Sequence, residues 1–355
     1  MRFSIILFFL IHNIYSQTFD KNKTLNYYSG KTVIASQVRS EGNKAILRGT
    51  ESKKNREFIL SNYNGIQMSV YPAWDFGFWP KQKPKSIDDF KYNVEGLSEL
   101  VNWGIENNMY MIHHCLFFPN KYFPKWFWET NYKSNELEQI LESYIQNILV
   151  TNQNKEKIDA LNVINEIFDK NGNYRSSGNG NEDVKWMDIG FEDDGSALIG
   201  KQKVNDRHPL FVRKVLEKTR SLSQAKLEIR DFNIAFGGKK ADGLYQLVKH
   251  LKNSGVRIDA VGFQCHLNVG INYNYENLRK NIKRFTELGV EVYITELDVG
   301  LNLWGQGGNH KKVSDVIKSQ SDWNNFFEEQ NKIYYNLVKT AKESGVKLIS
   351  DWGFR

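Results

Sequence analysis

Two glutamates, Glu166 and Glu296, stand 130 positions apart, and each closes a short apolar segment. Glu166 follows Ala160-Leu161-Asn162-Val163-Ile164-Asn165, and Glu296 follows Gly289-Val290-Glu291-Val292-Tyr293-Ile294-Thr295. Such segments read as buried strands, so the side chain at each carboxyl end is held rigidly. In parallel α/β barrels that end is where active sites are built. A pair of carboxyl groups across the barrel mouth is the requirement for glycoside hydrolysis. The retaining form needs them about 5 to 5.5 Å apart, one as nucleophile and the other as acid and then base. A lone glutamate after a strand is ordinarily a solvated loop residue; recurrence at a second strand gives this pair its weight.

Neighbouring residues carry matching chemistry. Asn165 offers an amide to a sugar 2-hydroxyl, a contact that strengthens in the transition state. His266 closes the strand before the one that bears Glu296 and can hydrogen-bond it. Asp298 can hold that imidazole in one tautomer. The charge of Glu296 should raise the pKa of Glu166, as the acid role requires.

Strand-like and helix-like stretches alternate along the chain, which argues for βα units and a parallel sheet. Strands are predicted at 65–71, 110–115, 159–165, 226–233, 259–264, 290–296 and 346–352, with a weaker first strand at 32–38. Helices are predicted at 97–107, 135–151, 209–221, 243–253, 275–288 and 323–343. The helix at 135–151 places Leu137, Ile140, Leu141, Tyr144, Ile145 and Ile148 on one face. The sum is a (β/α)8 TIM barrel with Glu166 and Glu296 on strands four and seven, nearly opposite each other. The sequence stops at Arg355, where an eighth helix should begin, so the barrel is expected to lack its last helix. An apolar face between strands eight and one would then be uncovered, unless the residues before 60 fold back over it, a partner covers it or the sequence is a truncated record. Long loops at 169–208 and 301–322 follow the two glutamates, the usual place for substrate contacts. Asp193-Asp194-Gly195-Ser196 lacks the spacing of a calcium loop.

Composition bounds the class. With 355 residues, 40% hydrophobic and 25% charged, the chain is globular and fits one large barrel. Met1-Arg2 and the apolar run through Ile11 read as a secretory signal peptide over 1–17, leaving a single domain at 18–355 in a secreted protein. That run is too short to anchor in a bilayer, and no other approaches about 18 residues, so no membrane partner is expected. The net charge of +7 comes from scattered lysines, which argues against a nucleic-acid partner. Cys115 and Cys265 end strands expected to lie apart, so they read as packed thiols. No spacing resembles a metal site, and no cofactor is expected. Of nine Trp, 17 Tyr and 22 Phe, most must be core, with a minority near strand ends as sugar platforms.

These segments resemble the family-10 glycoside hydrolases. Residues 289–299 are similar, position by position, to the family's active-site signature. Asn162-Val163-Ile164-Asn165-Glu166 resembles its acid/base strand, and Arg230-Asp231-Phe232-Asn233 its Asn-Asp-Tyr-Asn strand. Gln264-Cys265-His266 is similar to its Gln-x-His, His114 with Pro124 and Trp126 to its Trp-His…Pro-x-Trp, and Trp352-Gly353 to its eighth-strand Trp-Gly. The resemblance runs from about residue 57 to the end. It implies a retaining endo-β-1,4-xylanase fold and activity, with Glu296 as nucleophile and Glu166 as acid/base. It also implies that Asn165, His114, Gln264 and His266 contact the sugar or the nucleophile, and that Trp352 walls the sugar site.

The departures cluster on one side. The family's Glu-Asn-x-Met-Lys falls on Gly65-Ile66-Gln67-Met68-Ser69, its Gly-His on Asn108-Met109, its Trp on His113 and a Gln on Leu116. In the family those positions bind sugar on the glycone side. The expected function is therefore cleavage of internal β-1,4 linkages in xylan or a related plant polysaccharide, by a monomer. The alternatives are a β-glycosidase of different glycone preference and a non-catalytic carbohydrate binder.

Overall fold

The structure of the chain, a computed structural model, describes residues 23–40, 42, 45–69, 79–119, 123–151, 155–175, 185–192, 208–303 and 311–353. The leader, the 193–196 segment and the end of the predicted 65–71 strand lie outside these residues. Eight parallel strands form the sheet: β1 (Val33–Val38), β2 (Gly65–Ser69), β3 (Tyr110–His114), β4 (Ala160–Asn165), β5 (Lys226–Asp231), β6 (Ala260–Phe263), β7 (Glu291–Gly300) and β8 (Leu348–Asp351). Each pairs with the next, and β8 pairs with both β7 and β1, so the sheet closes into a barrel. Seven helices alternate with them: α1 (Ser52–Asn62), α2 (Glu95–Glu106), α3 (Ser134–Thr151), α4 (Leu210–Leu222), α5 (Lys239–Asn253), α6 (Tyr275–Glu287) and α7 (Gln320–Glu343).

Three elements differ from the sequence reading for local reasons. α7 begins at Gln320 because Ser319 and Asp322 form a capping box: Ser319 Oγ accepts from Asp322 N, and the Asp322 carboxylate accepts from Ser319 N. Pro209 stands before α4 as its N-cap, in extended backbone, and pairs with Phe191 in a two-residue antiparallel ribbon. β7 does not stop at Glu296 but runs on to Gly300, because His266–Asn268 pairs alongside Asp298–Gly300.

Among the described residues no helix follows β8, yet its outer side is not left wet. Ile349, whose side chain joins the main core, is buried, and Tyr63, the C-cap of α1, donates a hydrogen bond to Asp351. A short helix, Leu25–Ser29, packs against α1 with Leu25 in the core. The expected uncovered face between strands eight and one is thus not found. Cys115 and Cys265 are both free and buried.

Inside the barrel the period of two along each strand sets what meets what. Ile112 and His114, Ala160 and Asn162, Glu228 and Arg230, and Ala260 and Gly262 are same-face pairs. The first apolar members, with Ala35, Tyr293 and Leu348, form a separate small core. The members nearer the carboxyl ends are polar and carry the site. Glu228 and Arg230 are fully buried and joined by two bonds, Nε to Oε1 at 2.7 Å and Nη2 to Oε2 at 2.9 Å. Gly262 makes this possible: a Cβ there would sit 1.9 Å from Glu228 Oε1 and 2.7 Å from Arg230 Cβ. Overpacking of this kind costs about 1–3 kcal/mol. Gly262→Ala should therefore lower unfolding stability by that amount in urea titration. A midpoint equal to the parent's would show that the pair has room to spare.

Candidate active site

Both glutamates are placed by backbone before their side chains find partners. Glu296 sits within β7, and its N–H donates to the Gln264 carbonyl at 3.0 Å. Glu166 is the first residue past β4; its N–H donates to the Arg230 carbonyl at 2.9 Å. Its φ is 55°, left-handed backbone in which a residue with a Cβ is strained. Cys265 after β6 (φ 61°) and Asn233 after β5 (φ 55°) are alike. Such outliers gather where a fold must aim a side chain.

Glu296 is 2% exposed. Its Oε1 lies 3.4 Å from Arg230 Nη1 and 3.7 Å from His114 Nε2, and its Oε2 lies 3.2 Å from His266 Nε2. His266 Nδ1 lies 3.0 Å from Asp298 Oδ1. Burial pulls the His266 pKa down, but hydrogen bonds and charge from Asp298 and Glu296 outweigh it and push it up to about 10. Both ring nitrogens face carboxylates, so His266 is an imidazolium donating from each, rather than one neutral tautomer. His266 is also not at the end of β6: Gln264 and Cys265 intervene, and it begins the segment that extends beside β7.

His114 is fully buried and held well below the ordinary imidazole pKa, by burial first and then by Arg230. It is therefore neutral. Arg230 Nη1 at 3.0 Å and the Asn162 amide at 2.8 Å both lie against its Nδ1, and its Nε2 faces Glu296.

The surroundings of Glu166 differ. Gln264 Nε2 donates to its Oε1 at 3.1 Å and to Asn165 Oδ1 at 3.2 Å, and Asn165 Nδ2 stands 3.5 Å from the same Oε1. Arg175 Nη2 lies 3.5 Å from its Oε2. Burial is the largest reason its pKa is raised; the charge of Asp231 comes next and that of Glu296 third, against opposition from Gln264 and Arg175. The direction agrees with the expectation from sequence, but like charge from Glu296 is not the leading cause. Asp231 is itself buried, paired with Lys240 at 2.7 Å and accepting from the Phe168 N–H at 3.1 Å.

All eight residues singled out from sequence converge on one place. Asn165, Gln264 and His114 are buried, and what they touch is the two glutamates and each other's partners. Trp352 is half-buried, its ring edge-on to His114 at 5.4 Å and to His266 at 5.7 Å. Sequence reasoning missed Glu228 and Arg175, and named Arg230 and Gln67 without giving them a place beside Glu296. Gln67 Oε1 accepts from Arg230 Nη1 at 2.9 Å. A signal was available: in Leu227-Glu228-Ile229-Arg230 two opposite charges recur at the strand period in a strand that must be buried.

The His266 environment gives a signed expectation. Its folded pKa is raised, so its contribution to stability is full below the unfolded value of about 6.5 and is lost as pH rises through about 10. NMR titration of the ring should find a midpoint near 10, falling in Asp298→Asn. A midpoint near 6.5 in the parent would contradict the doubly paired geometry.

Comparison with known proteins fits this geometry. The model described as Glycosyl hydrolase family 10 matches residues 79–355. Endo-1,4-beta-xylanase B of Thermotoga neapolitana is 29% identical over 266 residues, 74% of this chain and 64% of that protein. Endo-1,4-beta-xylanase A of Thermoanaerobacterium saccharolyticum is 30% identical over 261 residues, 68% of this chain and 20% of its own. Exoglucanase XynX of Acetivibrio thermocellus is 31% identical over 263 residues, 68% and 22%. The chain thus spans between a fifth and just under two thirds of these relatives. In fold it is similar to xylanase 10B of Thermotoga petrophila in complex with xylobiose, with a TM-score of 0.73 at 23% identity over 94% of this chain and 86% of that one.

Proposed function

Because this chain belongs to glycosyl hydrolase family 10, we propose that it is a retaining glycoside hydrolase cleaving internal β-1,4 linkages of xylan or a related plant polysaccharide. Glu296 attacks the anomeric carbon while Glu166 gives its proton to the departing oxygen. Water then enters with Glu166 as base, and the bond to Glu296 breaks. The observation that carries this reading is the contrast between the two carboxyl groups. Glu166 is half-buried near Asp231 and Glu296 and raised in pKa, as an acid needs. Glu296 faces a guanidinium and an imidazolium, the surroundings an attacking carboxylate needs. Gln264 ties them together, by its carbonyl to the N–H of Glu296 and by its amide to the carboxyl of Glu166. In this reading residues 1–17 are a leader, and 18–355 act outside the cell as one monomeric catalytic domain without a cofactor.

Substitution separates the roles. Glu296→Ala should abolish hydrolysis, and azide should restore some turnover of an activated aryl glycoside with inverted configuration. Glu166→Ala should slow substrates with poor leaving groups by about 100-fold or more and spare good ones, since general acid catalysis is worth that much. Equal losses for both substrate classes would place the acid elsewhere.

A second reading concerns the glycone. Ile66, His113 and Leu116 are fully buried, Met109 nearly so, and Gln67 and Ser69 are turned to Arg230 and Gln37. Gln67 Oε1 and Ser69 Oγ are thus taken up inside the barrel, which favours recognition weighted to the leaving-group side or a different glycone. Each lost sugar hydrogen bond is worth about 0.5–1.5 kcal/mol. Subsite mapping with xylo- and cello-oligosaccharides should show weak binding at the second glycone subsite. Strong binding there would rule this second reading out.

A further inference from the structure

Arg230 has no exposed surface, so it cannot meet a polysaccharide. Its guanidinium is nevertheless aimed. Nε and Nη2 are taken up by Glu228, which leaves Nη1 turned to Glu296 Oε1 at 3.4 Å, with Gln67 at 2.9 Å and His114 at 3.0 Å completing its partners. The barrel gives up a side chain at Gly262 to house this pair. The other groups around Glu296 are His114 from β3, Glu166 and Cys115 from the ends of β4 and β3, and His266 with Asp298 on the far oxygen. Burying an ion pair is costly and gives little stability by itself, so its placement against a reacting carboxylate calls for a role there.

Resting on the reading of Glu296 as nucleophile, we propose that Arg230 is a positioning residue that hastens release of the covalent glycosyl-enzyme. In the second step water attacks the anomeric carbon and its proton passes to Glu166. The carbon–oxygen bond to Glu296 breaks, and the electron pair returns to the carboxylate. The ester carries no net charge, whereas the departing carboxylate carries one. A fixed guanidinium therefore favours departure over the ester. Glu228 sets how strongly, because its negative charge offsets part of the guanidinium's.

The opposed charges predict opposed effects. Dinitrophenyl 2-deoxy-2-fluoro-β-xylobioside and the matching cellobioside are the probes, since the fluorine slows release. Mass spectrometry locates the adduct, and recovery of activity after removing excess probe gives its half-life. Glu228→Gln/Arg230→Gln, which removes both charges and leaves two amides, should lengthen the half-life about tenfold, as expected for losing part of one charge-assisted contact. Glu228→Gln alone, which leaves the guanidinium's charge undivided, should shorten it several-fold. A merely structural role would move both variants the same way. An adduct at Glu296 with an unchanged or shortened half-life in the double variant overturns the role of Arg230 and leaves the nucleophile assignment standing. Absence of any adduct on the parent with both probes overturns the nucleophile assignment and this inference together. Should Glu228→Gln fail to fold, the double variant alone decides.

Discussion

A carboxylate almost sealed from water must find its counter-charge within the protein, and Glu296 is in that position. Leaving it unpaired would cost several kcal/mol. The barrel answers with one cation per oxygen, Arg230 on Oε1 and His266 on Oε2. Each cation needs its own support. Arg230 is matched by Glu228, and Gly262 gives them room; His266 is matched by Asp298. The extension of β7 to Gly300 and the segment His266–Asn268 beside it fix that second support. Much of the barrel mouth is in this sense arranged around one side chain.

The same physics, applied with fewer cations, makes a different group of Glu166. It is half-buried, its partners are the Gln264 and Asn165 amides and the single guanidinium of Arg175, and Asp231 adds like charge. Two glutamates with one intrinsic acidity thus meet two environments. Gln264 couples them, so a shift in the backbone beneath Glu296 also shifts the donor on Glu166. The left-handed residues after β4 and β6, Glu166 and Cys265, belong to this arrangement, since they turn the chain beside buried Asn165 and Gln264.

What the sequence disclosed follows what is local. The strands carrying Glu166 and Glu296, the helix at 134–151 and the convergence of Asn165, Gln264, His266 and Trp352 were legible because apolar period and strand-end position are written in consecutive residues. α1 was not read, because Ser52–Asn62 is mostly polar, with Asn55, Ile59 and Asn62 as its buried residues. Of the outcomes expected beside β8, an uncovered face gives way to cover by earlier residues, among them Tyr63, distant in sequence. The charged interior was missed for a related reason. Glu228 and Arg230 look like surface charges until closure of the sheet turns their shared face inward, opposite a glycine on the next strand. The leading cause of the raised Glu166 pKa was likewise hidden, since burial and the approach of Asp231 are properties of the closed barrel.

Attack by Glu296 opposite the leaving group, followed by water on the face that group vacated, would leave the anomeric configuration unchanged. The first product released from a β-1,4-xylo-oligosaccharide, observed by proton NMR before mutarotation, reports this directly. Double displacement predicts the β-anomer at the new reducing end. The α-anomer appearing first would mean direct attack by water, and the assignment of Glu296 as nucleophile would fail.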